Sequence, residues 1–361
     1  MEGNLLDYLQ WRGDLSFRAS PFNDVDALLL AELSHLRYPF AAECEMTLIE
    51  AVQKWNELPE NERFKGLERI REQTGKLLIS AAESTRFGRV RVTRYSELKD
   101  EQAEMEFSAV CFLLPEKTVF IAYRGTGDDL IGWKEDLNMV FMEAVPSQKE
   151  AARYAEEAAS VYPDRDLILG GQSKGGNLAV WAGAHLSSDL KRRLNAVYNL
   201  DGPGFIGGLT RKPEYGEISG RVISYVPASS LVGVLMGECP YTCIKSSSLS
   251  VLQHDPFTWM ICGTSFVREE ARSKSGELIE KYVDGLLFNM SRAGREEFVE
   301  KLFRDLTAYN AKTVSDLKKH LFITIIKVLL DLKQFSGKSN ENKQRRQELT
   351  ALLKEINASK G

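Results

Sequence analysis

The chain has 361 residues, of which 43% are hydrophobic and 27% charged, a composition typical of a soluble globular protein. This length allows one large α/β domain or two ordinary ones, and it is sufficient to bury a substantial core. The 47 basic and 51 acidic side chains give a formal net charge of −4, so no global positive field exists that would attract nucleic acid. We therefore expect no nucleic-acid partner.

The five cysteines are thinly spread along the chain, which excludes a disulfide framework. The spacing of Cys239 and Cys243 fits neither a zinc knuckle nor a C-x-x-C redox motif, and the nearest histidine, His254, has no second histidine nearby. We predict neither a bound metal nor a cofactor.

The N-terminal segment, residues 1–8, contains no basic stretch followed by an apolar one. This argues against a secretory signal and predicts a cytoplasmic location. The most apolar run, residues 321–330, includes a lysine and is far shorter than the roughly 20 residues that span a bilayer. No transmembrane segment is predicted, and the sequence does not indicate an oligomeric state.

The first 80 residues are predicted to be mainly helical. Acidic residues open the segment 24–33, as suits a helix N-terminus, and residues 43–55 carry apolar side chains at helical spacing. The pattern then changes, because residues 89–95 alternate with period two, as a half-exposed strand does. Residues 107–114 and 118–123 are short β-rich runs separated by Pro115-Glu-Lys, which predicts a hairpin.

From residue 147 onward helical and strand patterns alternate. The predicted helices are residues 148–160 and 177–186, and the predicted strands are residues 166–169, 196–200 and 221–226. Such alternation predicts an α/β fold with a mostly parallel sheet flanked by helices.

After about residue 265 the strand patterns end, and four apolar stripes at helical spacing follow, at residues 278–286, 298–306, 317–332 and 349–356. A polar linker, residues 333–347, separates the last two stripes. We predict one domain over residues 1–265, including the N-terminal helical segment, and a helical C-terminal extension over residues 266–361.

The segment most indicative of chemistry is Gly171-Gln-Ser-Lys-Gly, which fits G-x-S-x-G between a predicted strand and a predicted helix. That is the context of a nucleophile elbow, a sharp turn that exposes the hydroxyl of Ser173 above the sheet edge. The turn also places a helix N-terminus and the N–H of Lys174 where an oxyanion would form. Two phosphate-loop interpretations fail, because Lys174 precedes rather than follows Gly175 and the Gly125-Thr-Gly turn lacks the third glycine of a dinucleotide fingerprint.

Two motifs, with a Trp-containing segment between them in the chain, resemble those of a known family. A strand ending in Arg124-Gly-Thr, a following Trp133-Lys-Glu-Asp segment and the elbow G-x-S-x-G-G-x-L-A together resemble the class 3 lipase-like branch of the α/β-hydrolase superfamily. The opening segment, residues 7–26, is similar to a bacterial subgroup of these proteins. The resemblance implies an α/β-hydrolase fold, and it implies that Gly125 and Thr126 supply the second oxyanion donor beside Lys174.

The nucleophile requires a base, and the chain offers only four histidines. His185 lies twelve residues along the helix that begins at Ser173, roughly 18 Å away at 1.5 Å per residue, so it cannot reach the hydroxyl. His35 and His320 fall outside the Ser…Asp…His chain order of this fold. His254 follows the final predicted strand and lies in a predicted loop, so we predict that it is the base.

The sequence offers more than one candidate for the carboxylate that would orient His254. Asp201 ends the predicted strand 196–200 at the edge where catalytic groups of open α/β sheets belong. In the class 3 lipases the acid instead follows the next strand, where this chain has Ser229 and Ser230. Either the acid is Asp201 or the triad is incomplete; Asp255 is a third option, although its adjacency to His254 makes the orienting contact awkward.

These residues predict a serine hydrolase of the lipase or esterase type, which cleaves a small-molecule or lipid ester through an acyl-serine intermediate. The alternative is a non-catalytic protein of the same fold that acts as a binding or scaffold module through its helical C-terminal third. A hydrogen-bonded series from Ser173 through His254 to a carboxylate would favour the enzyme. A large side chain that plugs the elbow would favour the scaffold.

Overall fold

The computed structural model describes residues 2–64, 71–237 and 239–307, together with residues 347 and 350. The chain begins with helices that pack on one face of the later sheet and with one short strand that joins its edge. In chain order these are α1 (Leu5–Arg12), α2 (Asp24–Leu33), β1 (Met46–Thr47), α3 (Leu48–Glu57), α4 (Glu60–Arg63) and α5 (Arg71–Glu83).

The middle of the chain alternates strands and helices. Its elements are β2 (Arg91–Asp100), β3 (Met105–Leu114), β4 (Thr118–Tyr123), α6 (Leu130–Asn138), α7 (Pro146–Val161), β5 (Asp166–Gln172), α8 (Lys174–His185), α9 (Ser188–Arg193), β6 (Leu194–Leu200), α10 (Pro213–Gly216) and β7 (Val222–Pro227).

Three short strands and two longer helices follow. They are β8 (Thr242–Ile244), β9 (Ile261–Cys262), β10 (Ser265–Phe266), α11 (Lys274–Asn289) and α12 (Arg292–Thr307). None of the helices in the described part of the chain combines the length and the apolar character that a bilayer span requires.

Eight strands form one sheet in the order β1-β2-β3-β4-β5-β6-β7-β8. Neighbours from β1 to β4 run antiparallel, whereas neighbours from β4 to β8 run parallel. This sheet, with helices on both faces, is an α/β-hydrolase fold, as predicted. The predicted 107–123 hairpin is also confirmed, and its turn residues Glu116 and Lys117 both have positive φ.

Period-two alternation along β3 divides the core between the two faces of the sheet. Phe107, Ala109 and Cys111 point into a cluster shared with helices α7 and α8, whereas Val110 and Phe112 point into a cluster shared with the N-terminal helices. The sheet is therefore buried on both faces, which explains the near-continuous apolar sequence of its central strands.

The predictions for two segments differ from the structure. The predicted helix over residues 43–55 begins only at Leu48, because Thr47 and Glu50 form a reciprocal capping box and Met46–Thr47 pairs with β2. The short strands β8, β9 and β10 were not predicted, since two or three residues are too few for a periodic signal.

The helices α11 and α12 span the first two predicted C-terminal stripes. The other two stripes, most of the 333–347 linker and His320 lie outside the described residues. The division into residues 1–265 and 266–361 stays a prediction.

One buried ion pair joins helix α2 to the segment between α5 and β2. The side chains of Arg86 and Asp26 are both fully buried and lie 2.5 Å apart. The same guanidinium donates to the carbonyl oxygens of Leu15 and Ser20 and stacks 4.2 Å from the ring of Phe17. Removing one member of such a pair strands the other charge in the core.

We predict that Arg86→Met lowers the free energy of unfolding by about 3–5 kcal/mol, because it leaves the Asp26 carboxylate buried without its cation. Urea denaturation of the two proteins measures the difference. As a control, Lys76→Met removes an exposed pair with Glu72 on α5 and should leave the unfolding midpoint unchanged. An Arg86→Met protein as stable as wild type would contradict this account.

Candidate active site

The register of the parallel strands brings three strand ends to one edge of the sheet. Tyr123 at the end of β4 lies opposite Gly171, and Gln172 at the end of β5 lies opposite Leu200 at the end of β6. Ser173 and Asp201 each come directly after one of these strands, so their side chains emerge side by side. This is the edge at which open α/β sheets carry ligand and catalytic groups.

Ser173 occupies a strained turn between β5 and α8. Its φ of 59° and ψ of −132° are rare for a residue with a side chain. The turn requires glycine on both sides of Ser173, because the backbone there approaches the end of β4 closely. A Cβ added to Gly175 would lie 2.1 Å from the carbonyl oxygen of Tyr123, and one added to Gly171 would lie 2.5 Å from the same atom. The Ser173 side chain remains partly exposed.

His254 is the last residue of a 3₁₀ helix, Ser250–His254, between β8 and β9, where a loop was predicted. Its Nε2 lies 3.0 Å from Ser173 Oγ, and its Nδ1 lies 2.7 Å from Asp201 Oδ2. A carboxylate only accepts, so the neutral ring carries its proton on Nδ1 and leaves the Nε2 lone pair for the hydroxyl of Ser173. The structure thus brings together the three residues that the sequence singled out.

The Asp201 carboxylate is fully buried and has two further donors. The hydroxyl of Ser230 donates to Oδ2 over 2.5 Å, and the backbone N–H of Gly233 donates to Oδ1 over 3.1 Å. Ser230 is one of the two serines that follow β7, where the resemblance led us to expect the acid, and here it supports a carboxylate that lies one strand earlier. Asp255 instead caps the next 3₁₀ turn, accepting from the N–H of Phe257 over 3.1 Å.

The segment after β4 lies against Ser173. A Cβ added to Gly125 would lie 2.8 Å from the carbonyl oxygen of Gln172 and 3.4 Å from Ser173 Cβ. Beside it, the hydroxyl of Thr126 donates to Asp136 Oδ2 over 2.6 Å. Lys174, the third predicted oxyanion residue, opens helix α8, where N–H groups of the first turn have no partner within the helix.

The side chain of Lys174 has a role that the sequence did not reveal. Its ammonium is buried and contacts Glu135 Oε2 at 2.5 Å and the carbonyl oxygen of Glu106 at 2.8 Å. Glu135 is fully buried and also accepts from the N–H of Ser147 over 2.8 Å. The only sequence signal of this buried ion pair was a lysine among the small and apolar residues that begin α8. Its partner Glu135 is 39 residues distant in the chain, so no local pattern connects the two.

His185 and His35, the two other histidines in the described part of the chain, occupy different environments. His185 Nδ1 lies 2.8 Å from the carbonyl oxygen of Trp181, far along α8 from the site. His35 is buried beside the oxyanion segment, with its Cε1 3.3 Å from the position of a Cβ on Gly125. Chain order did not predict that His35 lies near Gly125, because α2 precedes the alternating strands and helices and packs on the sheet separately from them.

Fold and site together define a protein of the α/β-hydrolase class with Ser173 at the sharp turn between β5 and α8. The Mbeg1-like family model matches residues 81–304, and the chain belongs to this family. No curated protein matches the chain.

Solved structures with similarity to the chain include several fungal proteins. A mutant form of MDLA from Penicillium cyclopium has 11% identity and a TM-score of 0.40, with 69% of this chain and 86% of that chain covered. The Rhizomucor miehei lipase propeptide complex has 14% identity and a TM-score of 0.35, with coverage of 72% and 83%. Lipase II from Rhizopus niveus has 12% identity and a TM-score of 0.36, with coverage of 70% and 94%.

Asp136 is the most strongly perturbed carboxyl beside the oxyanion segment. Its side chain is 29% exposed. Partial burial raises its pKa from the ordinary 3.8 to about 7; the ammonium of Lys174 and the hydroxyl of Thr126 oppose this rise, and the charges of Glu135 and Glu106 add to it. The folded state therefore holds this proton more tightly than the unfolded chain does. The stability that protonated Asp136 contributes is present below about pH 4 and lost as the pH rises through about 7.

We predict that Asp136→Asn removes this pH dependence, because the amide stays neutral throughout. Relative to wild type, the variant should gain stability steadily between pH 4 and 8, measured by urea denaturation in a series of buffers. Asp14→Asn, at an exposed position, is the control and should follow the wild-type curve. If the curves of Asp136→Asn and wild type stay parallel over this range, the predicted titration of Asp136 is wrong.

Proposed function

We propose that this protein is a serine hydrolase of the lipase or esterase type. The observation that carries the proposal is the hydrogen-bonded series in which Ser173 Oγ lies 3.0 Å from His254 Nε2 and His254 Nδ1 lies 2.7 Å from Asp201 Oδ2. A nucleophile, a base and an acid that orients the base are the arrangement that acyl transfer requires.

The proposed reaction proceeds in two halves. His254 takes the hydroxyl proton of Ser173 while Ser173 Oγ attacks an ester carbonyl. The resulting imidazolium then gives that proton to the departing alcohol. Water, activated by the same imidazole, then releases the acid from the acyl-serine. Asp201 keeps the ring oriented and stabilises its cation.

The negative charge that develops on the carbonyl oxygen needs donors that are already in place. We assign this role to the backbone N–H groups of Lys174 and of the Gly125–Thr126 segment. Two observations support this assignment: Lys174 begins a helix, whose N-terminus favours negative charge, and Gly125 lies against Ser173. The side-chain contacts of Lys174 with Glu135 and of Thr126 with Asp136 would fix both segments.

The scaffold alternative has less support. A plugged elbow would favour it, but the Ser173 side chain is partly exposed and the His254 side chain is 23% exposed, so a substrate has access to both. We propose a small-molecule or lipid ester as substrate. The similarity to a bacterial subgroup and the cytoplasmic location stay predictions.

We predict that a fluorophosphonate probe labels wild-type protein stoichiometrically and does not label Ser173→Ala, since the probe reacts only with an activated serine. Labelling is measured by intact-protein mass spectrometry. Ser160→Ala, on the exposed face of α7, is the matched control and should be labelled as fully as wild type. Folded wild-type protein that remains unlabelled would refute the proposed function.

We further predict that Asp201→Asn lowers ester turnover by about 10⁴-fold, because an amide no longer enforces the Nδ1–H form of His254. Asp255→Asn should leave most of the activity, since its carboxylate caps a turn and does not contact Nδ1 in the structure. Turnover is measured with p-nitrophenyl esters of graded acyl length. The opposite ranking of the two variants would transfer the role of the acid to Asp255.

A further inference from the structure

A glutamine that precedes the nucleophile contacts the base. Gln172 ends strand β5 and is buried, with 5% of its surface exposed. Its Nε2 lies 3.0 Å from the carbonyl oxygen of His254 and 3.4 Å from the ring Nε2 of the same residue. One side chain therefore touches both the backbone and the reactive nitrogen of His254.

The shorter of these contacts fixes which end of the carboxamide faces the base. A backbone carbonyl oxygen can only accept a hydrogen bond, so the amino group of Gln172, not its oxygen, lies 3.0 Å away. The amino group has two N–H bonds. With one directed to the carbonyl oxygen of His254, the other is available to the ring Nε2.

This second N–H distinguishes the two protonation states of the ring. In the neutral ring with its proton on Nδ1, Nε2 is an acceptor and tolerates the N–H of Gln172 beside the hydroxyl of Ser173. In the imidazolium, Nε2–H would face the N–H of Gln172, donor against donor. Gln172 thus favours the neutral ring, whereas Asp201 on Nδ1 favours the charged ring.

We propose that Gln172 is a positioning residue that holds His254 against the end of β5 and keeps its ring unprotonated until Ser173 gives up its proton. The inference rests on the proposed function, because it assigns Gln172 a part in the action of that base. It also accounts for a buried amide immediately beside the nucleophile, where an apolar side chain would otherwise suffice.

The turn that carries the base has other supports, so the contribution of Gln172 can be separated from folding. The indole N–H of Trp259 donates to the carbonyl oxygen of Gln253 over 2.9 Å. The carboxamide of Gln253 accepts from the N–H of Ser229 over 2.6 Å and donates to the carbonyl oxygen of Ser248 over 2.9 Å. These contacts do not involve Gln172 and remain when it is replaced.

The charged and titratable groups around the base come from several elements and stay constant in the test. Asp201 approaches from the end of β6, and Asp255 follows the base on its own turn. The Arg272 guanidinium donates to the carbonyl oxygen of Ser230, behind the acid. His35 lies across Ser173, beside Gly125.

The test is the rate constant of fluorophosphonate labelling as a function of pH, which reports the ionisation of the base without knowledge of the substrate. Replacement with Gln172→Met removes the N–H that opposes protonation, so the midpoint of the acid limb should rise by about half a unit to one unit. Gln172→Glu places a carboxylate there instead and should raise the midpoint by about one to three units. At a pH below the wild-type midpoint, a one-unit rise lowers the labelling rate about tenfold.

The control is Gln148→Met, since Gln148 is a buried glutamine that donates to Asn177 Oδ1 over 2.8 Å and does not contact the base. Its midpoint should equal that of wild type. Folded Gln172→Met and Gln172→Glu proteins that label with the wild-type midpoint overturn the inference and leave the proposed function intact. Wild-type protein that does not label at any pH refutes the proposed function instead.

A second measurement uses the wild-type protein and can overturn the inference if the variants do not fold. Nitrogen-15 spectra of labelled imidazole rings should show neutral His254 protonated at Nδ1, the form that Asp201 also enforces and the one whose Nε2 lone pair faces Ser173 and Gln172. A neutral ring protonated at Nε2 would place two donors against each other at 3.4 Å and overturn the inference.

Discussion

The strained turn at Ser173 is the constraint on which the rest of the site depends. A residue other than glycine adopts a φ of 59° and a ψ of −132° only where the surrounding structure enforces this backbone conformation. Here the enforcement comes from the end of β4, whose Tyr123 carbonyl oxygen excludes any side chain at Gly171 and Gly175. The same close approach sets Gly125 beside Ser173 and the start of α8 behind it. One backbone contact therefore positions Ser173 and both segments that we propose bind the oxyanion.

Helix α6 connects these segments through consecutive side chains. Lys134 pairs with Glu300 of α12 and lies 5.2 Å from the ring of Phe303, Glu135 pairs with Lys174, and Asp136 accepts from Thr126. Burying this much charge is costly unless every group is paired. The pairing ties the C-terminal helix α12 to the segment next to the nucleophile, so these helices are not a remote appendage.

The sequence predicted those parts of the site that are local or that follow from chain order. The turn at Ser173 is specified within five residues, Asp201 follows a strand directly, and His254 was selected by elimination among four histidines. The strands β3 to β7 carry apolar runs, so their existence was also predictable.

What could not be predicted depends on contacts between segments distant in the chain. Ser230 supports the carboxylate of Asp201 across 29 residues, and Gln172 reaches His254 across 82. No periodicity encodes such pairs, and each residue type is common in turns and strands for other reasons. The position of His35 beside Gly125 has the same origin, because it arises from packing of α2 on the sheet.

The central claim is that Ser173 forms a covalent acyl intermediate, and trapping that intermediate tests it most directly. The protein is mixed with p-nitrophenyl acetate, quenched in acid within the first turnover and digested for peptide mass spectrometry. The account predicts a burst of about one equivalent of p-nitrophenol and an acetyl group on the peptide that contains Ser173. Hydrolysis without a burst, with the acetyl group on another residue or on none, would contradict it.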